Sequence, residues 1–152
     1  MKAVIQRVSR ADVTVDGKIC GECGEGFMIL LGVARGDCEA DAELLASKIC
    51  KLRIFTDENG KMNLSLKDID GEALVISQFT LMANYKHGNR PDFFESAPPS
   101  DAERLYEYFK SLMAREIRRV ESGIFGAHME VSLVNDGPVT IVMDSEVLKK
   151  KN

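Results

Sequence analysis

Apolar positions along the chain recur with two different periods. Ala3 to Val8 and Ala11 to Val15 carry Val, Ile and Thr in partial alternation, the period of a strand. Phe27 to Val33 is apolar almost without interruption, which suits a strand buried on both faces, and Glu72 to Phe79, with Leu74, Val75 and Ile76, predicts a central strand of the same kind. Gly17, Gly21, Gly24 and Gly26 punctuate the first third as hairpin turns. The period then lengthens. After Asp37 as N-cap, Ala42, Leu45, Ala46 and Ile49 fall at i, i+3, i+4 and i+7, the apolar stripe of a helix lying on a sheet. A second helix is expected from a capping box of Ser100 and Glu103, with Leu105, Tyr108, Phe109 and Leu112 as its stripe, reaching about Val120 before Gly123 stops it. Arg53 to Phe55 reads as a short strand and Asn59-Gly60 as a hairpin turn. Met129 to Val134 and Val139 to Met143 are expected as two closing strands separated by Asn135-Asp136-Gly137-Pro138.

The order of these elements predicts an α/β fold of mixed β-sheet layers with two packed helices, forming one domain over residues 1–148, with 149–152 as a frayed tail. Two helices cover only part of such a sheet, so a homodimer is the economical way to bury the rest. Met82 to Ser100 breaks every periodicity with Asn84, Gly88, Asn89, Pro91, Pro98 and Pro99. A loop this long in a compact domain is expected to wall a site.

Composition narrows the chemistry. Of 152 residues, 45% are hydrophobic and 29% charged, and 20 Lys and Arg against 24 Asp and Glu leave a net charge of −4, so any nucleic-acid contact has to be local. No apolar run approaches the roughly 20 residues of a membrane span, and the N-terminus carries no signal-peptide pattern, so a cytoplasmic protein without membrane attachment is expected. Cys20, Cys23, Cys38 and Cys50 read as ordinary thiols, because Cys20 and Cys23 lie three apart on a strand edge and point to opposite faces; neither metal nor cofactor is expected. Asp68-Ile69-Asp70-Gly71 looks like part of a calcium loop, but Ser77 stands where the closing Glu belongs, so a turn is expected. The nucleophile elbow, the phosphate loop and the dinucleotide fingerprint are missing from the sequence. His87 and His128 have no carboxylate close in sequence to orient them, and read as a loop and a strand-end residue.

Two segments remain. Ser77-Gln78-Phe79-Thr80-Leu81 puts two hydroxyls and an amide at the end of the central strand, where a sheet opens into a pocket. Thr is also a good strand former and Ser and Gln often finish strands, so a purely structural role stays open there. Asn135-Asp136-Gly137-Pro138-Val139-Thr140 is either a plain turn or, with a cis Gly137-Pro138 bond, a device that sets neighbouring carbonyls in an unusual geometry.

Together the two segments resemble the signature motifs of the D-aminoacyl-tRNA deacylases. The resemblance extends through Ile5-Gln6-Arg7-Val8-Ser9-Arg10-Ala11, Leu30-Leu31-Gly32-Val33, Arg53-Ile54-Phe55, Lys61-Met62-Asn63-Leu64 and Gly88-Asn89-Arg90-Pro91. It implies a deacylase-like fold and a homodimer with active sites at the subunit interface, cleaving the ester of tRNA carrying a D-amino acid or glycine, including glycine mischarged on alanine tRNA. Ser77, Gln78, Phe79 and Thr80 would be the catalytic group, with backbone N–H groups at Gln78, Phe79 and Thr80 as the oxyanion site. Gly137 and Pro138 would enter the other subunit's pocket as a wall against L-amino acids, with Arg7 as their prop and Phe125 against the terminal adenine. Otherwise Phe125 reads as a core aromatic and Arg7 as a solvated strand residue. The family resemblance favours attack assisted by the substrate's 2′-hydroxyl over attack by Thr80. Ile124 departs from the pattern, standing where an Arg is common. Arg115, Arg118 and Arg119 read as a solvated helix face that is able to touch an acceptor stem. A non-catalytic module that binds tRNA ends and a general esterase are the competing functions.

Overall fold

A computed structural model describes residues 1–149. The strands are β1 (Lys2–Val15), β2 (Lys18–Cys23), β3 (Gly26–Gly32), β4 (Phe55–Thr56), β5 (Met62–Leu64), β6 (Glu72–Ser77), β7 (Arg119–Ser122) and β8 (Glu130–Asp144). The helices are α1 (Glu39–Lys51), α2 (Pro99–Glu116) and the short α3 (Ser145–Lys149). The main sheet runs β2-β1-β3-β6-β7, and β8 pairs with β1 as well. It is mixed: β3, β6 and β7 are parallel to one another, while β1 is antiparallel to β2, β3 and β8. The sheet curls until its ends meet, where the Glu22 N–H donates to Glu121.

Alternation explains why β6 is apolar from Ala73 to Ile76. Ala73 and Val75 face a core shared with Ala42, Leu45 and Ile49 of α1 and Leu105, Tyr106, Phe109 and Met113 of α2. Leu74 and Ile76 face the inside of the curled sheet, packed with Val8, Val13, Met28 and, at its margin, Met129 and Val131. A 13-residue helix such as α1 is marginal alone, so its buried stripe against the sheet is what holds it. The Tyr106 hydroxyl donates to Val75 O at 2.8 Å and fastens α2 to the central strand.

Several boundaries differ from the sequence expectation. β1 is one continuous strand, and Gly21 lies within β2. The N-cap of α1 is Cys38, because Asp37 accepts from the Ala34 N–H and the Met1 ammonium instead. Pro98 and Pro99 start α2 two residues early and place Ser100 inside it, so no capping box of Ser100 and Glu103 forms. The buried side of α2 is rotated toward Tyr106 and Met113, leaving Tyr108 and Leu112 at the margin. The helix ends at Glu116, and what was expected as its last turn is β7. Arg118 and Arg119 are accordingly no helix face: both reach the buried Glu72, at 2.9 and 3.5 Å. Asp68 sits in a turn, its amide donating to Ser65 Oγ.

Lys149, expected to begin a frayed tail, ends α3 and pairs with Asp41 at 2.6 Å; residues 150–152 lie outside those described. Asp41 is fully buried. Burial alone would raise its pKa, but Lys149, the Ser145 hydroxyl and the Cys38 amide and thiol all donate to it and hold the carboxyl well below the usual range. A depressed folded-state pKa stabilises the fold above the unfolded value of about 4 and is lost as pH falls below it. Asp41→Asn should therefore lower Tm at pH 7 but narrow the gap between variant and parent at pH 3, measured by thermal melts at both.

Candidate active site

At the C-terminal end of β6 the chain leaves the sheet. The Gln78 N–H makes one last sheet-like bond to Leu31 O at 2.8 Å, and Phe79–Met82 then turn as a 3-10 helix, so Phe79 is not part of the strand as expected. Gly32 permits this turn: a Cβ there would lie 3.0 Å from Gln78 O, Leu81 Cβ and Met82 Cε. Leu81 is the first amide of the turn to bond backward, to Gln78 O. The N–H groups of Phe79 and Thr80 precede it without such a partner, which is normal at a helix start. Gln78 differs from the expectation here, since its N–H is already committed to Leu31.

The turn borders a cleft of about 810 Å³. Ser77, Gln78 and Phe79 line it together with Phe125 to Met129, Ile76 and Val131. Val33, Arg35, Phe93 and the Ser96–Pro99 segment complete the wall, so the aperiodic loop does border the site. Phe79 and Phe93 meet edge to face at 5.1 Å, and Ser96 Oγ donates to Phe79 O at 3.2 Å, tying loop to strand end. Phe125 is half-buried: one side packs on Tyr106 with ring centroids 6.1 Å apart, while the residue also borders the cleft. It is thus both a core aromatic and an available stacking surface.

Thr80 is not among the lining residues, and its Oγ1 accepts from the Gln78 side-chain amide, which cannot take up a proton. His128 lines the cleft, whereas His87 does not. Burial pushes the Cys23 and Cys50 thiols up to about 11, and none of the four cysteines borders the cleft. Thiolate chemistry therefore has no seat here. Arg35 and His128 were missed as cleft residues because no local pattern marks them; their position depends on how the loop and the start of β8 converge.

The Gly137–Pro138 peptide is cis. Its segment is not a turn between two strands, since both halves of β8 run antiparallel to β1 and the chain never reverses. Gln6 pairs with Thr140 and Val8 with Asn135, so the single residue Arg7 faces the four residues Asp136 to Val139, a wide bulge. Arg7 is only 7% exposed, which overturns its reading as a solvated strand residue. Its Nε donates to Asp136 O at 2.9 Å and its Nη1 to Ile54 O at 2.6 Å, so one guanidinium props the bulge against the chain before β4.

Within one chain the bulge and the cleft are far apart. Ser77 pairs with Leu31 and Leu31 with Ala3, while Arg7 pairs with Phe27, four residues further along β1, or roughly 13 Å at strand spacing. Gly137, Pro138 and Arg7 are absent from the cleft lining. The structure brings together Ser77, Gln78, Phe79 and Phe125, and separately Arg7, Gly137 and Pro138.

Comparison with known proteins adds to this geometry. Residues 4–144 match a family model described as D-Tyr-tRNA(Tyr) deacylase. The chain is similar to the D-aminoacyl-tRNA deacylase of Caldicellulosiruptor saccharolyticus, 57% identical over 96% of this chain and 98% of that one. It is likewise similar to the D-aminoacyl-tRNA deacylase of Ruegeria pomeroyi, 57% identical over 95% of this chain and 99% of the other. Among solved structures, a c-Myc DNA unwinding element binding protein superposes with a TM-score of 0.90 at 42% identity, covering 95% of this chain and 98% of its own. A probable eukaryotic D-amino acid tRNA deacylase superposes with a TM-score of 0.78 at 17% identity, covering 93% and 97%, a likeness of fold.

Proposed function

The chain belongs to the D-aminoacyl-tRNA deacylases, hydrolases of an ester bond, and we propose that its active site combines the cleft of one subunit with the Gly137-Pro138 bulge of a second copy. The observation that carries this reading is the convergence of Ser77, Gln78, Phe79 and Phe125 on one cleft. A terminal adenosine enters that cleft with its adenine against Phe125, and the aminoacyl ester lies at the Ser77–Thr80 turn. Water adds to the acyl carbon as it gives a proton to the substrate's 2′-hydroxyl, which passes its own on toward the neighbouring 3′ oxygen; the carbonyl oxygen gains negative charge, and the Phe79 and Thr80 N–H groups receive it. Collapse restores the carbonyl and breaks the ester bond, and the ribose 3′ oxygen leaves as a hydroxyl carrying that proton.

Support for substrate assistance comes from the surroundings of Thr80, whose hydroxyl meets an amide rather than a base. Thr80→Ala is accordingly expected to keep turnover of D-tyrosyl-tRNA within about fivefold of the parent, because a general base or nucleophile is worth 10²-fold or more. Single-turnover rates at saturating enzyme measure this; loss of turnover with normal binding and folding would return the nucleophile to Thr80.

Homodimerisation is supported by β8, a 15-residue strand that, among the described residues, pairs only with β1 and leaves its other edge open, with Val134 and Val142 exposed. In the dimer the bulge of one copy stands in the other's cleft. A D- and an L-amino acid differ only in the direction of two substituents on Cα, so a rigid backbone wall that accepts hydrogen and excludes a side chain separates them. Its carbonyls also accept from the α-ammonium. A D side chain points away from the wall, so side-chain identity matters little, and glycine passes. In this reading the protein proofreads aminoacyl-tRNA in the cytoplasm.

Incubation with D-tyrosyl-tRNA and L-tyrosyl-tRNA in parallel tests the function. Loss of the D ester alone is expected. Equal loss of both is the behaviour of a general esterase, and loss of neither by a folded sample that binds tRNA is that of a binding module.

A further inference from the structure

The loop beside the cleft carries groups that the deacylation chemistry leaves unused. Asn84 and Asp92 exchange N–H···O bonds of 2.9 Å each, so residues 85–91 project as a closed tip. Of the ten Phe and Tyr residues in the chain, Phe79, Tyr85, Phe93 and Phe94 crowd into this short stretch. Tyr85 is 80% exposed and Phe94 74% exposed, the two most exposed large apolar side chains among the described residues. Lys86 and Arg90 are exposed on the same tip and take part in none of the ion pairs among the described residues. Arg35 adds a third cation, its Nε held by Phe94 O. Asp92 spends its carboxylate on the Phe94 N–H at 3.3 Å, and Glu95 is the exposed acid of the segment.

We propose that this loop is a docking surface for the single-stranded nucleotides that immediately precede the terminal adenosine of tRNA, with bases stacked on Tyr85 and Phe94 and phosphates met by Lys86 and Arg90. The assignment rests on the deacylase reading and extends it outward from the cleft. Exposed aromatic planes interleaved with unpaired cations are what an unpaired strand needs, since every base has a face to stack and every linkage a charge. A chain of net charge −4 has to concentrate such contacts, and this loop does so next to Phe93, which borders the cleft. A strand leaving the adenosine site past Phe93 meets the loop at the neighbouring Phe94.

Two double variants test the surface, Tyr85→Ser with Phe94→Ser and Lys86→Gln with Arg90→Gln; all four side chains are exposed, and thermal melts check folding. On D-tyrosyl-tRNA the aromatic pair is expected to raise KM by about tenfold or more with kcat little changed. On D-tyrosyl-adenosine, which lacks the upstream nucleotides, its effect on KM should be several-fold smaller. The charge pair should flatten the salt dependence of binding uncharged tRNA by about two ion equivalents. Equal losses on both substrates, or none on either, overturn the docking surface. So does a change of oligomeric state in the aromatic variant by light scattering, which would assign the loop to contact between copies. An inactive parent refutes the deacylase reading itself; binding of uncharged tRNA with an intact against a trimmed 3′ end then decides the docking surface alone, which a trimmed end bound equally well by parent and aromatic variant supports only if the intact end is bound more weakly by the variant.

Discussion

Gly137→Ala is expected to lower turnover of D-tyrosyl-tRNA by about 10²-fold, the usual consequence of misplacing a positioning group by an ångström, while the protein still folds. Gly137 has φ of +134°, a region that side chains rarely adopt. A Cβ there would sit 2.9 Å from Val139 Cγ2, 3.0 Å from Val139 N and 3.1 Å from Arg7 Nη2. Two of these neighbours cannot yield easily: one is backbone within the bulge, and the other belongs to a guanidinium fixed at both ends. The bulge itself has to move. Backbone strain of this kind costs about 1–3 kcal/mol, which a domain of this size tolerates. Discrimination should suffer with turnover, so the ratio of D to L rates, measured with both esters on one preparation, should fall toward that of an unselective esterase.

Arg7→Met should be the most destabilising of the substitutions considered. The guanidinium is nearly buried and satisfies Asp136 O and Ile54 O, with Asp136 Oδ2 a further 3.6 Å partner. Methionine fills much of the space and leaves the buried Ile54 carbonyl unpartnered, at about 1–3 kcal/mol, and the part-buried Asp136 carbonyl as well, at less. A loss of about 3 kcal/mol corresponds to a Tm lowered by roughly 6–12 °C. Activity should drop with it, because the prop and the wall are one unit. Arg7→Lys is expected to recover little: a single ammonium cannot bridge two carbonyls on opposite sides as a planar fork does. A solvated strand residue would instead change stability by less than about 0.5 kcal/mol, so calorimetry on the two variants separates these cases.

Much of the fold is legible wherever burial is decided by local pattern. The continuous runs of β3 and β6 announce strands covered on both faces, and the stripe of α1 falls where the spacing puts it. What escapes is settled through space. β7 alternates charges and reads as the end of a helix until Arg119 meets Glu121 of its own strand and Glu22 and Glu72 on neighbouring ones. Cys38 displaces Asp37 as N-cap because the Asp37 carboxylate has other donors. A Gly-Pro pair between apolar runs suggests a reversal, yet β1 holds both halves of β8 in one direction and makes the pair a bulge. In the candidate site, Ser77, Gln78 and Phe79 border the same cleft as Phe125, which only the family resemblance singles out, whereas Thr80 is not among the lining residues and Arg35 and His128 join them only through loop geometry. The commitment of the Gln78 N–H to Leu31 is likewise invisible in sequence.

A site shared between two copies predicts complementation. Phe125→Ala spoils the cleft and leaves the bulge intact; Gly137→Ala does the reverse. Each alone should be nearly inactive on D-tyrosyl-tRNA. Unfolded together in equal amounts and refolded, they should regain about a quarter of the parental rate, since half of randomly paired dimers are mixed and each mixed dimer holds one intact site. Recovery to that level is the predicted result. A refolded mixture no more active than the average of the two variants, with mixed dimers shown to be present, would contradict a site built from two chains.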